Sequence, residues 1–217
     1  MPTHRHTISP SSNPLNFILA LTTSPASTPR TILIIAAPLA VFRASILAHR
    51  NDHDVSSLTK LETLLAASKI PVIFAPSLLH LRAYLSTIPA QDDDNGDGDN
   101  GGDGGGVLAV WGLIAAHRET SELSGQGLGQ TVASAVDAGV RSGRRVLLGE
   151  PDCSREQEGD GHDSHGYGDE TDNGKIWEEE LPLLNTTVNV GSLEGAVAGR
   201  TVAVGRVLGR WFRCPPG

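Results

Sequence analysis

Residues 107–150 read VLAVWGLIAAHRETSELSGQGLGQTVASAVDAGVRSGRRVLLGE, and this stretch decides the fold class. Val107-Leu-Ala-Val-Trp111 is a short continuous apolar run, which suits a strand buried on both faces. A polar, glycine-containing segment, His117 to Gly127, follows it. Leu128, Val132, Ala135, Val136 and Val140 then recur at three- and four-residue spacing, the stripe of a helix with one buried face. Arg145-Val-Leu-Leu-Gly149 is again a strand. Strand, helix and strand in that order form a βαβ unit, which implies a parallel sheet with right-handed crossovers.

Upstream the same alternation repeats. Thr31-Ile-Leu-Ile-Ile-Ala-Ala is an apolar, β-branched strand. Asp54 is placed to cap a helix carrying Val55, Leu58, Leu61, Leu64 and Leu65. Pro71-Val-Ile-Phe-Ala is the next strand, and Pro76-Ser77 opens a second helix with Leu78, Leu81 and Leu85 on one side. Downstream, Leu183–Val190 and Arg200–Leu208 read as two extended segments, an antiparallel pair appended to the parallel sheet. The fold class expected is therefore α/β, a mostly parallel sheet flanked by helices, closed by a C-terminal antiparallel strand pair. Residues 1–29 form an N-terminal tail and first element, and residues 30–213 the core.

The core is interrupted twice. Residues 91–106, QDDDNGDGDNGGDGGG, and residues 152–174, rich in Gly, Asp, Glu and His, bury too little apolar surface to offset their ordering entropy and are read as disordered insertions. They also carry the acidity. The formal net charge is −8. Yet residues 92–103 hold 6 acidic and no basic residues, residues 152–180 hold 11 acidic and 2 basic, and the rest holds 15 basic against 8 acidic. An acidic total therefore hides a basic remainder, which the two insertions are expected to shield.

Composition excludes several classes. Cys153 and Cys214 make neither a disulfide framework nor a cysteine zinc site. The longest apolar run, Thr31 to Phe42, contains Pro38 and falls short of the roughly 20 residues of a membrane helix. Asp92–Asp97 has calcium-type carboxylate spacing but no glutamate at the twelfth loop position. His162 and His165 lie in an acidic loop, so no metal site is expected. No G-x-S-x-G elbow supports serine catalysis. No acidic residue precedes Asp52, a composition similar to a transit peptide, but the segment is read as a short frayed tail running into a first buried element. Asn185-Thr-Thr is read as a polar turn rather than a glycosylation site.

The 107–150 stretch resembles the RecA-like recombinase family, and its eukaryotic paralogues in particular. Val107–Trp111 matches the strand that ends in the Walker B aspartate, His117-Arg118 the aromatic-Arg pair, Ser124-Gly-Gln-Gly127 the Ser-Gly-Arg-Gly DNA-binding loop, and Arg145–Gly149 the next strand. The segment through Gly199-Arg-Thr-Val-Ala-Val is similar to the family's late strand pair. The departures point away from catalysis. A phosphate-cradling loop needs glycines and a lysine, and the first glycine of this chain is Gly96. Trp111 stands where the magnesium-holding aspartate belongs, and Glu150 alone does not replace it.

The resemblance therefore implies a non-enzymatic, Shu-complex-type subunit without nucleotide cofactor. Such a subunit is nuclear, pairs with another RecA-like paralogue, and contacts DNA to assist a recombinase filament. A structural subunit of an Elongator-type transfer-RNA modification complex is the alternative. DNA contacts are expected from Arg118, Arg200, Arg206 and Arg210, and partner contacts from Trp177, Trp211 and Phe212. Each has a plainer reading: Arg118 bonded to Glu119 or Glu122, the C-terminal arginines solvated, and Trp211 and Phe212 covering the sheet edge. Arg141, Arg144 and Arg145 are read as complements to a helix C-terminus.

Overall fold

The structure is a computed structural model, and it describes residues 6–9, 11–23, 30–49, 60–91, 106–151, 174–185 and 200–213. Asp54, Val55 and Leu58, most of both acidic insertions, His162, His165, Val190 and both cysteines lie outside those residues. The elements run β1 (His6–Ile8), α1 (Pro14–Thr23), β2 (Ile32–Ile35), α2 (Leu39–Ala48), α3 (Leu61–Ala67), β3 (Val72–Phe74), α4 (Leu78–Thr87), β4 (Val107–Trp111), α5 (Leu113–Arg118), α6 (Gly125–Arg141), β5 (Arg145–Gly149), α7 (Gly174–Glu178), β6 (Glu180–Pro182), β7 (Thr201–Ala203), α8 (Val204–Leu208) and β8 (Phe212–Arg213).

Six strands form one sheet in the order β3-β2-β4-β5-β1-β8, with every neighbouring pair parallel. The α/β class and the four strands β2, β3, β4 and β5 agree with the sequence reading. In both common doubly wound orders the first strand neighbours the second. Here it lies between the fifth and the last.

Alternation along the strands divides the core into two layers. Val107, Ala109 and Trp111 of β4, with Leu33 and Ile35 of β2, face Phe17 and Leu21 of α1 and Phe42 of α2. Leu108 and Val110, with Ile34, Val146 and Leu148, face Leu81 and Leu85 of α4, Leu128, Val132 and Ala135 of α6, and Val204 and Leu208 of α8. All five β4 residues are buried, which is why that strand reads as an unbroken apolar run. Ser77 caps α4 by accepting from the His80 amide, as its position before an apolar stripe predicts.

Three features differ from the sequence reading. β1 and β8 are strands of three and two residues, too short to leave a periodic signal. The antiparallel pair exists, but as a separate two-stranded sheet of β6 and β7, with β6 at Glu180–Pro182, ahead of the expected Leu183–Val190. Residues 204–208 are helical rather than extended, because Val204, Val207 and Leu208 share the buried face at helical spacing.

Gly149, at the end of β5, sits where a Cβ would lie 2.5 Å from Phe17 and 2.6 Å from Trp111. Gly149→Ala is therefore expected to destabilise the fold by about 1–3 kcal/mol through overpacking, read as a lowered urea midpoint with an unchanged slope.

Candidate nucleic-acid and partner surface

Parallel α/β sheets take ligands outside the carboxyl ends of their strands. Among the described residues, side chains of the chain itself occupy that edge beside β4 and β5. The turn from β1 into α1 is short and bonded to itself: the Ser11 amide donates to Ser9 Oγ, the Asn13 amide to Ser11 Oγ, and the Leu15 amide to Asn13 Oδ1 at 2.8 Å. Asn13 thus caps α1. One turn later Phe17 packs on Trp111 with ring centroids 5.0 Å apart and planes tilted 47°.

Beside this plug lies Glu150, 2% exposed. Its carboxylate accepts from the amides of Ile114 at 2.8 Å and Ala115 at 3.3 Å, so it caps α5 from the end of β5. Burial pushes its acid up to about 7, against the opposing pull of the α5 amides and the Arg118 charge. At the other end of α5, His117 is fully buried. Its Nδ1 lies 3.1 Å from the Glu122 carbonyl and its Nε2 3.0 Å from Thr131 Oγ1. A carbonyl only accepts, so Nδ1 carries the proton and Nε2 accepts from Thr131. Burial holds this imidazole below its ordinary value, and Arg82 adds to the effect. Arg82 completes the network, donating to Thr131 Oγ1 at 2.9 Å and pairing with Glu122 at 2.6 Å.

The sequence-predicted residues separate into two groups. Arg118 is ion-paired with Glu179, neither of the two carboxylates expected for it, and both side chains are about 30% exposed. It ties α5 to the start of β6 and is not a free phosphate contact. Phe212 is buried in β8 and packs on His6, ring centroids 5.8 Å apart, so it is a core residue and not a partner anchor. Trp177 is half-buried against the α4/α6 core layer. Arg141 donates to the Leu85 carbonyl of α4 and to that of Ile88 just after it and pairs with Asp137, serving more than its own helix end.

Arg206, Arg210 and Trp211 come together. They line a groove of about 330 Å³ with Gly125, Gln126 and Gly129 of α6, Leu183 and Leu184 after β6, and Val202 and Val207. Arg206 and Arg210 are exposed, as are Leu183 (41%) and Leu184 (55%). Arg200 is also exposed and bonds through its carbonyl to the Leu183 amide, beside the groove. The Ser-Gly-Gln-Gly segment, expected as a loop, is the first turn of α6. Ser124 caps it by accepting from the Gly127 amide at 3.0 Å and donates to Asn185. The Gln126 amide donates to the Leu183 carbonyl, closing the groove floor. Close approach requires the glycine: a Cβ on Gly125 would lie 2.5 Å from Val202.

Among the described residues no cluster of His, Cys, Asp and Glu has metal-site geometry, and no helix is long and apolar enough to cross a membrane. No family model and no curated protein matches the chain.

Because the folded-state acid of Glu150 is raised from 4.5 to about 7, its favourable contribution is complete below the unfolded value and is lost as pH rises through 7. His117, with a lowered value, loses stability in the opposite direction as pH falls through its ordinary range. Glu150→Gln is expected to gain up to about 3 kcal/mol at pH 8 and little at pH 4. Urea denaturation of both proteins at the two pH values measures the difference and cancels the His117 contribution.

Proposed function

We propose that the chain is a non-catalytic subunit of a homologous-recombination DNA-repair complex. In this reading it is nuclear, pairs with another RecA-like paralogue, and contacts DNA through the groove that Arg206, Arg210 and Trp211 form with the first turns of α6. One observation carries the reading. The segment that resembles the family's DNA-binding loop and the C-terminal arginines are far apart in sequence, yet they line the same groove. Two cationic side chains beside a half-buried indole suit a nucleic-acid strand, the guanidinium groups meeting phosphates and the ring meeting a base.

The absence of catalysis in this reading is supported by the sheet edge. The β1–α1 turn is Ser-Pro-Ser-Ser-Asn, without glycine or lysine, and its Ser11 and Asn13 amides are bonded to its own hydroxyls. Trp111, which the resemblance would put at the Walker B position, is packed on Phe17. A triphosphate needs open amides and a metal-holding carboxylate at those two places.

The test is titration of a labelled DNA strand with the full chain, alone and with its co-purifying subunits, at 50–200 mM salt. Arg206→Ala/Arg210→Ala is expected to weaken binding about tenfold and to lower the slope of log K against log salt by about 2. Binding that is absent, or unaffected by the double substitution, would overturn the reading. A preference for transfer RNA over DNA would favour the Elongator-type alternative.

A further inference from the structure

The structure contains a buried polar device that the proposed contact with DNA does not use. We propose that α5 is a proton-linked strut, in which protonation of Glu150 loosens the α5 N-terminus and the change passes to both walls of the Arg206/Arg210 groove.

The connections are geometric. Glu150 reaches across from β5 to hold the first amides of α5, at 2.8 and 3.3 Å. The last turn of α5 bears His117 and Arg118. Through Nδ1, His117 holds the carbonyl of Glu122, two residues before the cap of α6, and through Nε2 it holds Thr131 within α6. Arg118 holds Glu179, whose carbonyl accepts from the Val204 amide at the start of α8. One wall of the groove is the α6 N-terminus; the other is the β6 end with α8. Both are thus tied to a six-residue helix whose far end rests on one carboxylate.

The charged groups acting on the device are few. Among the described residues Arg118 is the charge that acts on Glu150, and Arg82 and Glu122 are those that act on His117. Burial raises Glu150 to about 7, so its charge changes within the ordinary cellular range. The ionised carboxylate makes two charge-assisted acceptor bonds, and the neutral acid keeps weaker ones. A change at one site reaches another through a packed element with two arrangements, and the proposal assigns that part to α5, which is bonded at both ends.

The test follows the amides directly. In the full chain labelled with ¹⁵N, and with ¹³C at the glutamate carboxyls, the Glu150 carboxyl and the Ile114 and Ala115 amides are expected to titrate between pH 5.5 and 8.5. They should share a midpoint near 7, with the Gln126 and Gly127 amides moving in step. In Glu150→Gln these movements should disappear. If Ile114 and Ala115 do not titrate, or titrate unchanged in Glu150→Gln, the strut is overturned. If they titrate and Gln126 does not follow, the coupling is overturned. Should the variant fail to fold, the wild-type midpoints decide alone.

The functional consequence rests on the groove being the nucleic-acid surface. DNA affinity at matched ionic strength should be about fivefold weaker at pH 6 than at pH 8 in the wild type and level in Glu150→Gln. That direction opposes the general gain of positive charge on acidification. The amide titration uses no nucleic acid, so its outcome and that of the DNA reading fail separately.

Discussion

The packing of Phe17 on Trp111, above a residue that has to be glycine, governs how the rest of this molecule is arranged. β4 is the central strand, and its outward-alternating residues end in Trp111. α1 leaves β1 and crosses the sheet on that face to deliver the chain to β2, so its first buried side chains meet the end of β4. A ring pair at 5.0 Å with tilted planes is a favourable aromatic geometry, and it adds to the area the two rings bury. The contact fixes the height of α1 over the sheet. It also fills the place where an open parallel sheet otherwise keeps a crevice.

With one side of the sheet edge closed by rings, the polar chemistry lies on the α4/α6 side. His117, Arg82, Glu122 and Thr131 are brought together there by α5, α4, α6 and the loop between α5 and α6, while Glu150 holds the opposite end of α5. Burying a carboxylate is costly, and an apolar residue of similar size would be cheaper. What the carboxylate supplies is two acceptor bonds to amides that a six-residue helix with a left-handed glycine at its N-cap cannot satisfy by side-chain capping. Gly112 at φ 79° makes the turn that aims those amides at β5, and its own amide donates to the Gly149 carbonyl. Strand end, turn and helix start therefore form one bonded unit, and Glu150 is the member that titrates near neutrality.

Legibility in the sequence followed length and locality. Thr31–Ala37, Val107–Trp111 and Arg145–Gly149 are β-rich runs that report their strands directly, and the stripe from Leu128 to Ala135 reports α6. His6–Ile8 carries no such signal, since three residues fit any pattern. Val204–Leu208 was ambiguous for a different reason: apolar residues at 202, 204, 207 and 208 satisfy alternation at one end and helical spacing at the other. The ion pairs were hidden because they are long-range. Arg118 finds Glu179, 61 residues away, in preference to the carboxylates beside it. Of the expected site, Arg206, Arg210 and Trp211 converge, whereas Arg118 and Phe212 are consumed by the fold. Nothing local distinguishes the two groups, because the neighbours that decide lie on other elements.

That contrast bears on what the groove arginines do. Arg82, Arg118 and Arg141 each have a carboxylate partner, and Arg82 and Arg141 bridge helices as well. Among the described ion pairs neither Arg206 nor Arg210 takes part, and no acidic side chain is found among the described lining residues of the groove. Arg206 lies in α8 and Arg210 two residues beyond its end, and both line the one groove. Exposed leucines beside them add apolar surface that water does not favour. A bound anion with a flat apolar face meets both features together: phosphate oxygens neutralise the paired charges, and a base covers the indole and leucine surface. A carboxylate-bearing surface without such a face meets only the first. The groove thus offers paired charge beside flat apolar surface, which are the features the proposed nucleic-acid contact would use.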